Sequence, residues 1–335
     1  MNPSTDRPYA RHRRHLLAAT LALPFAIPVR AQTGATQDRP IRIIVPFAAG
    51  AGTDAVARLI APALAQSLAR PVVVENRAGA SGAIGARLVA QSPPDGTTLL
   101  LVASPFTTVA AVNPRAGYDP LADFSPVGLI ASGPLLWAGS SQTDARTLPD
   151  WIRRARERPG SVLYGSAGAG GINHLMLELL NAQTGAPIVH VPYRGTAPAV
   201  VDLVGGQIHL LTGTIPALLP HIKDGRIRAL AVSTRDRTQL LPEVPGMGEL
   251  GLAGLEVRNV FGFAAAARTP PALIDTLAGA LADALRTPAV RERLATDALD
   301  LVQPDPQGMA RFIADDTRRW QDLARSHGIR VDEGG

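Results

Sequence analysis

The sequence predicts an α/β protein with two lobes, and three observations lead to this prediction. Apolar runs rich in Val, Ile and Leu alternate with helical patterns through most of the chain, which is typical of strands buried between helices. The chain ends in helical patterns alone. Its 335 residues suffice for two cores, and no repeat or long linker divides them. We therefore expect one lobe at residues 32–137 plus 258–335 and a second at 138–257, each a mostly parallel sheet flanked by helices.

The individual elements follow from hydrophobic periodicity and from helix start signals. Apolar runs predict strands at residues 41–46, 72–75, 98–103, 127–131, 135–138, 162–164, 188–191, 208–212 and 228–232. Helical spacing predicts helices at residues 54–68, 82–91, 148–157, 172–183 and 197–204. Pro271, Pro288 and Pro306 mark three further helices at 271–286, 288–297 and 306–326, because proline suits the first turn of a helix.

Residues 1–31 have the pattern of a cleaved export signal. A basic stretch at 11–15 precedes an apolar run at 16–28, and residues 29–31 form a small-x-small cleavage pattern. The apolar run is shorter than the ~20 residues of a spanning helix, and a retained membrane anchor is the alternative. The pair Arg13 and Arg14 also fits a twin-arginine export motif. We therefore expect a periplasmic protein whose signal is removed, with the twin-arginine route possible.

The chain that follows this segment is nearly neutral and has no cysteine. The formal net charge is +5, of which residues 1–31 supply +4 through five arginines and one aspartate. A dominant phosphate-binding surface is therefore not expected, so nucleic acid is not a predicted partner. The absence of cysteine excludes disulfides, thiolate metal sites and cysteine nucleophiles.

Two loops of small residues are the strongest functional signal. The first loop, residues 48–52 (AAGAG), lies between a predicted strand and a helix that begins near Thr53 and Asp54. The second loop, residues 165–171 (GSAGAGG), lies between the predicted strand 162–164 and the helix that begins at residue 172. A helix start leaves N–H groups without partners and attracts anions, and small side chains let a ligand reach that backbone. Together the loops predict a clamp for a small anion, with Thr53 capping its helix and Asp54 complementing the helix dipole.

Other readings of the polar residues remain open at this point. The hydroxyls of Ser104, Thr107 and Thr108 follow a predicted strand, where they either hold an anion or satisfy a turn. His174 and Glu178 have the spacing of a metal pair, although a pair on a helix surface explains them as well.

Nucleotide and hydrolase motifs are missing. A P-loop needs a lysine after its last glycine, and Lys223, the only lysine, lies far from either loop. The G-x-G-x-x-G pattern is absent too. Ser166 would need the G-x-S-x-G pattern to resemble a hydrolase nucleophile, and Tyr164 stands at the first position. We expect no enzyme activity and no cofactor or metal.

A set of motifs spans nearly all of the chain after residue 31. In the first predicted lobe they are 40–47 (PIRIIVPF), 50–54 (GAGTD), 71–77 (PVVVENR), 82–86 (GAIGA), 94–99 (PDGTTL), 118–120 (YDP) and 123–124 (DF). In the second they are 164–170 (YGSAGAG), 174–175 (HL), 190–199 (HVPYRGTAPA), 202–207 (DLVGGQ), 228–232 (RALAV) and 241–245 (LPEVP). With these motifs the chain resembles the Bug family of periplasmic solute receptors, which serve tripartite tricarboxylate transporters.

The resemblance implies a two-lobed Venus-flytrap binding protein without catalysis, in which the two loops hold a ligand carboxylate. It implies a monomer that delivers the carboxylate to a large and a small membrane subunit; the alternative is a ligand-sensing adaptor for the exported domain of a membrane sensor protein. The ligand-binding positions that it implies are Phe47, Ala48, Ala49, Gly50, Asp54, Ser104, Thr108, Ser166, Gly168, Gly170, His174, Tyr193, Gly195, Thr196 and Ala197.

Three departures from the family pattern leave the identity of the carboxylate open. Ala51 stands where the family usually has glycine. Residues 261–263 (FGF) replace a segment that commonly contains tryptophan, and residues 265–270 (AAARTP) replace a Pro-Ala-Gly-Thr-Pro pattern. We expect these changes to affect a wall of the cleft or the crossover between the lobes.

Overall fold

The computed structural model describes residues 39–329, so the predicted export signal lies outside the described residues. The strands are β1 (Ile41–Val45), β2 (Val72–Asn76), β3 (Thr98–Ala103), β4 (Phe124–Ser140), β5 (Leu163–Ser166), β6 (Val189–Pro192), β7 (Leu210–Thr214), β8 (Ile227–Val232), β9 (Arg258–Ala266) and β10 (Asp300–Leu301). The helices are α1 (Gly52–Leu68), α2 (Ala83–Ala90), α3 (Pro105–Val112), α4 (Leu148–Glu157), α5 (Ile172–Thr184), α6 (Thr196–Val204), α7 (Ile215–Lys223), α8 (Pro271–Arg286), α9 (Pro288–Thr296) and α10 (Pro306–His327). None of the helices in this part of the chain combines the length and the apolar character that crossing a bilayer requires.

The strands form one connected path in the order β2-β1-β3-β9-β4-β7-β5-β6, with β8 and β10 also paired to β4. Strand β1 is parallel to β2 and β3, and β5 is parallel to β6 and β7. Strands β4 and β9 are antiparallel to their neighbours. The α/β prediction is therefore confirmed, but the sheet is mixed rather than mostly parallel, because the chain crosses from the first set of strands to the second along β4 and returns along β9.

Strand β4 is continuous where the sequence predicted two strands, at 127–131 and 135–138. Gly133 and Pro134 break the apolar pattern between them, yet both stay extended and pair with Asn259 and Arg258 of β9. A Cβ atom on Gly133 would lie 2.3 Å from the Ala298 carbonyl oxygen, so only glycine fits at this position. The break in the pattern therefore reflects close packing and not the end of a strand.

Strand β9 and helices α3 and α7 were not predicted. Strand β9 contains residues 261–263 and the first two residues of the departure at 265–270. Phe261 and Phe263 are both buried in the core beside β1 and β3. The replaced aromatic segment thus belongs to the crossover strand. Helix α7 was not predicted, because it contains Pro220 and proline normally disfavours helix interiors. Ala51 precedes α1 with φ −68° and ψ 158°, a conformation that any residue adopts without strain.

The C-terminal helix α10 packs against both sets of strands. Met309 and Ile313, near its start, join a cluster with residues of α2 and β3. Trp320 and Leu323, near its end, join the large cluster that surrounds Trp137. The sequence prediction placed residues 258–335 with the first lobe, and the lobe boundaries stay a prediction.

Candidate functional site

The first loop follows β1, and the buried carboxylate of Asp54 binds its backbone. Ala48, Ala49 and Gly50 are exposed, and Gly50 has φ +83°, a conformation that favours glycine. The Gly50 N–H donates to Asp54 Oδ2 at 2.9 Å, and Asn76 Nδ2 donates to Asp54 Oδ1 at 2.9 Å. The shape of the loop is therefore stabilised by hydrogen bonds to Asp54.

Asp54 positions this loop and does not offer a donor to a ligand. Its side chain is 5% exposed, and Arg58 Nε also donates to its Oδ2 at 2.9 Å. Burial alone would raise the pKa of Asp54, but the hydrogen bonds from Arg58, Gly50 and Asn76 outweigh it and hold the pKa below its ordinary value. The sequence predicted that Thr53 caps α1, and this prediction is wrong. Helix α1 begins without a side-chain cap, and Thr53 makes no capping hydrogen bond.

The second loop follows β5 and is held in a similar way by side chains beneath it. Ser166 is fully buried, and its Oγ accepts a hydrogen bond from the Gly168 N–H at 3.2 Å. The Gly170 N–H donates to Nδ1 of His174 at 3.1 Å. Gly168 and Gly170 have φ +146° and +75°, so both turns need glycine. Ser166 and His174 thus shape the backbone of this loop.

Two stacked imidazoles support the second loop. The rings of His174 and His190 lie 3.9 Å apart with an interplanar angle of 13°, and His190 Nε2 is 2.6 Å from Ser166 Oγ. Burial and the neighbouring His174 lower the pKa of His190 to about 4, with Glu178 acting in the opposite direction. His190 is therefore neutral near pH 7, and it can share a proton with the hydroxyl of Ser166.

The geometry does not support the metal or the hydrolase reading. Glu178 Oε1 lies 3.4 Å from His174 Nε2, but no group of three potential ligands occurs anywhere in residues 39–329. Ser166 and His190 form a serine–histidine pair, yet Ser166 is fully buried and no carboxylate orients His190 within the described chain. A nucleophile needs access to its substrate and an oriented base.

A third segment, after β6, completes this side of the site. The Tyr193 N–H donates to the Ser166 carbonyl at 3.0 Å, and the Gly195 N–H donates to the Ala167 carbonyl at 3.2 Å. The Tyr193 hydroxyl donates to Asp202 Oδ2 at 2.6 Å, so it is not free to donate to a ligand. Burial and the Asp202 carboxylate raise the pKa of Tyr193 to about 12. Thr196 and Ala197 open α6, which has no side-chain cap.

Contacts join the two loops through the short turn Ala80–Gly82. The ring of Phe47 packs on Gly82, where a Cβ atom would lie 3.4 Å from Phe47 Cζ. Ser81 Oγ donates to the Ala169 carbonyl of the second loop at 3.0 Å. Ser81 itself has φ +51°, an uncommon conformation for serine. The structure therefore brings both loops to one place.

The donors left over for a ligand are not those of the glycines. The N–H groups of Gly50, Gly168, Gly170 and Gly195 are all used within the loops. In the described part of the chain, the exposed residues Ala48, Ala49 and Ala169 have N–H groups without an acceptor. Helices α1 and α5 both start without a side-chain cap, so their first-turn N–H groups are also available.

Ser104 and Thr108 have structural partners. Ser104 Oγ donates to Asn259 Oδ1 at 3.1 Å and accepts the N–H of Val260 at 3.1 Å, which ties the start of α3 to β9. Thr108 is fully buried, and its hydroxyl lies 3.5 Å from the Pro105 carbonyl of its own helix. The hydroxyls of Ser104 and Thr108 therefore bind groups of the protein itself, which agrees with the structural one of the two sequence interpretations.

Sequence reasoning missed Asn76, Ser81 and His190 as residues of this region. Asn76 ends β2 and also donates to the Phe47 carbonyl at 3.1 Å, so it fixes the first loop from the neighbouring strand. Its position at the end of a predicted strand region was a usable signal. Ser81 and His190 carry no local pattern, because their partners lie 88 and 24 residues away.

Two helix starts without side-chain caps, with free N–H groups in the loops before them, form an arrangement typical of anion-binding sites. Residues 56–329 match the model of the tripartite tricarboxylate transporter family receptor, so the chain belongs to that family. BugT of Bordetella pertussis (strain Tohama I) is 38% identical over 308 residues, which cover 91% of this chain and 94% of BugT. Family membership confirms a periplasmic receptor and not an enzyme.

Solved structures agree with this assignment. The periplasmic binding protein BugD has 31% identity and a TM-score of 0.80, with 88% of this chain and 99% of BugD covered. Rpa4515 of R. palustris, solved with adipate, has 34% identity and a TM-score of 0.81, with 87% of this chain and 98% of that chain covered. The predicted periplasmic binding protein fold is therefore confirmed.

Proposed function

We propose that this receptor binds a small carboxylate between its two lobes, with the carboxyl group held by main-chain donors of the first and second loops. The observation that carries the proposal is the set of exposed, unpaired N–H groups at Ala48, Ala49 and Ala169, next to the uncapped starts of α1 and α5. Adipate, the ligand of Rpa4515, has no polar groups other than carboxylates. A site that reads a carboxyl group through the backbone suits such ligands.

The binding positions divide into two kinds. Ala48, Ala49, Thr196 and Ala197 offer backbone to the ligand, and Phe47 packs beside it. Gly50 shapes the first loop, because its N–H donates to Asp54. The others shape or support the site, and they are Asp54, Ser104, Thr108, Ser166, Gly168, Gly170, His174, Tyr193 and Gly195. The carboxylate of Asp54 would repel an anionic ligand if the two were in contact. This repulsion favours the assignment of Asp54 as a residue that shapes the first loop without contacting the ligand.

The energy available fits a useful affinity. A hydrogen bond to a charged group contributes about 1.5–3 kcal/mol, and micromolar binding corresponds to about 8 kcal/mol. Three to five such bonds therefore reach about that value before the costs of ordering are subtracted. Contacts to both loops favour the closed arrangement of the lobes, which we assign to residues 32–137 with 258–335 and to residues 138–257.

The remaining parts of the proposal concern export and partners. Residues 1–31 act as a cleaved signal, and the mature receptor is a monomer that delivers its ligand to a large and a small membrane subunit. A pull-down from membranes distinguishes a receptor that delivers its ligand to a transporter from an adaptor that docks on a membrane sensor protein. Recovery of the two transporter subunits supports delivery, and recovery of a sensor protein alone contradicts it.

Ligand binding is tested by thermal shift with protein that mass spectrometry shows to be ligand-free. The panel contains dicarboxylates, tricarboxylates, aromatic acids and acidic amino acids, each beside its uncharged amide. We expect at least one acid to raise the melting temperature and its amide to have no effect, because the site recognises the charged group. A complete panel without a shift contradicts the proposal, as does an equal shift from an acid and its amide.

A further inference from the structure

The turn at residues 79–82 connects the two predicted lobes through a side chain, and we call it the bridging turn. Its Ser81 Oγ donates to the Ala169 carbonyl of the second loop at 3.0 Å. Every other hydrogen bond between the predicted lobes within residues 39–329 involves β4, the segment 233–259 or α10. Those segments cross between the lobes or pack on both. The Ser81 hydrogen bond is therefore the one that depends on the lobes being closed.

The bridging turn packs on the residues that lead from β1 into the first loop. A Cβ atom on Gly82 would lie 3.4 Å from Phe47 Cζ. A Cβ atom on Gly85, in the first turn of α2, would lie 2.8 Å from Pro46 Cβ. Contacts this close leave no room for the turn to shift against the first loop. The two therefore belong to one lobe, and Ser81 extends from that lobe to the other.

The group that Ser81 binds is the peptide unit between Ala169 and Gly170, which is held at both ends. Ser81 donates to its carbonyl oxygen, and its N–H donates to His174 Nδ1 at 3.1 Å. One of these partners comes from each predicted lobe. Because the peptide unit is planar, the two bonds fix its orientation, and they limit the rotation of the Ala169 N–H across the shared Cα. That N–H is one of the exposed donors proposed above for the ligand.

The backbone of the bridging turn is strained. Its four residues all have positive φ, at +134° for Gly79, +47° for Ala80, +51° for Ser81 and +101° for Gly82. This region is unfavourable for Ala80 and Ser81, because both have a Cβ atom. Such conformations persist where surrounding contacts impose them, and they occur at ligand clamps and switch regions. The Ser81 hydrogen bond favours the closed arrangement, and the strain of the turn offsets part of that preference.

We propose that Ser81 is a positioning residue that couples closure of the lobes to the shape of the second loop. Its hydrogen bond needs no ligand, so a fraction of the empty receptor is closed, and a ligand shifts this existing equilibrium. The apparent affinity for any ligand is then proportional to the closed fraction. The Ser81 hydroxyl is occupied by Ala169, so it does not select among ligands. This inference rests on the proposed function and adds how the same site is regulated.

The closed fraction of the empty receptor is measured by electron spin resonance as the distance between two spin labels. The chain has no cysteine, so Gln66→Cys on α1 and Val201→Cys on α6, both at exposed positions, provide unique attachment points on the two predicted lobes. With protein that mass spectrometry shows to be ligand-free, we expect one population at the distance of this structure and one at another distance. Ser81→Ala is expected to lower the ratio of the first to the second about three- to tenfold, because one hydrogen bond is lost.

Ser161→Ala is the matched control. Its hydroxyl also donates to a carbonyl, that of Arg158, but both residues belong to the second predicted lobe. We expect the ratio to stay at the wild-type value in this variant. An unchanged ratio in Ser81→Ala overturns the inference, as does an empty wild-type receptor with no population at the distance of this structure.

Ser81→Gly separates the hydrogen bond from the strain. Glycine lacks the hydroxyl but adopts a φ of +51° without strain. We expect the ratio to lie below the wild-type value, because the bond to Ala169 is missing. A ratio at or above the wild-type value means that backbone strain and not the hydroxyl controls closure, and it overturns the role of Ser81.

Titration calorimetry with adipate, malate and hexanoate tests the effect on binding. We expect Ser81→Ala to weaken the binding of each acid that the wild type binds by the same factor, within about twofold, because the closed fraction enters every apparent affinity equally. A loss confined to one acid indicates direct contact with the ligand and overturns the inference.

The outcomes separate the inference from the proposed function. If no acid in this series or in the wider panel binds but Ser81→Ala lowers the ratio, the proposed function is wrong and the role of Ser81 in closure stands. If acids bind and the ratio does not change, the carboxylate site stands and the role of Ser81 is refuted.

Discussion

Replacing Asp54 by alanine tests whether the first loop is shaped by a buried carboxylate. Asp54 accepts hydrogen bonds from the Gly50 N–H, from Asn76 and from Arg58, each at 2.9 Å. The substitution removes both carboxylate oxygens, and with them all three hydrogen bonds, and leaves the Gly50 and Asn76 donors close to a small cavity. We expect the variant to fold, to lose stability and to have a loop of less defined shape.

The three contacts contribute unequally. Arg58 is exposed, so its ion pair with Asp54 contributes only about 0–1 kcal/mol. The bonds from Gly50 and Asn76 go to a charged, buried group and contribute about 1.5–3 kcal/mol each. Asn76 keeps its bond to the Phe47 carbonyl, which limits the loss. We therefore expect Asp54→Ala to lower the free energy of unfolding by about 2–4 kcal/mol.

Urea denaturation followed by circular dichroism at pH 7 measures this difference. Asp275→Ala is the matched control, because Asp275 is an exposed aspartate on α8, and we expect it to change the stability by less than about 0.5 kcal/mol. The reasoning about the first loop fails if Asp54→Ala is as stable as that control.

The pH dependence gives a second check with a defined sign. The folded protein holds the pKa of Asp54 below its ordinary value of 3.8, so the ionised form is favoured in the folded state. Its contribution to stability is therefore fully present above that ordinary value and is lost as the pH falls through the lowered pKa. The stability difference between wild type and Asp54→Ala should shrink on acidification below about pH 4. A difference that stays constant down to pH 2 would falsify the assignment.

Three further changes test the second loop and its contacts. Ser81→Ala removes the hydrogen bond to this loop and should weaken ligand binding about three- to tenfold by titration calorimetry, whereas Ser67→Ala on exposed α1 should not. Gly168→Ala should weaken binding more strongly, because φ is +146° and its Cβ would lie 3.0 Å from Ser81 Oγ; an affinity equal to wild type contradicts this. The pKa of His190 is lowered to about 4, so the unfolded state binds the proton first, and stability should fall by about 2 kcal/mol between pH 6.5 and 4. His190→Gln should flatten that slope in urea titrations, and an unchanged slope refutes the assignment.

Much of the fold was accessible from local patterns. Helices α8 and α10 begin at Pro271 and Pro306, as predicted, because the first-turn proline is a local effect. Helix α4 begins at the predicted residue 148, where the structure adds a capping box at Thr147. Strand β9 was missed because its small residues pack against a neighbouring strand: a Cβ on Gly262 would lie 2.8 Å from the Gly128 carbonyl oxygen. Pairing between distant segments leaves no local periodicity.

The site shows the same division. The positions of the first and second loops follow from strand, small residues and helix start, all of which are local. Which N–H groups remain free does not follow, because Asp54 and His174 occupy the Gly50 and Gly170 donors through side-chain orientations that only the packed structure defines. The sequence therefore indicated where a ligand is held but not which atoms hold it.

Strand β4 links the folding of the two sets of strands, because it pairs with members of both. Residues 124–134 of β4 pair with β9, and residues 135–140 pair with β7 and β8, so one uninterrupted strand belongs to both. Cleaving the chain after residue 140 would leave an N-terminal fragment whose strand β3 has an unpaired edge, since β9 lies in the other fragment. Neither fragment contains all the strands that its own sheet needs. We therefore expect the two fragments to fold when they are mixed and not when each is refolded alone.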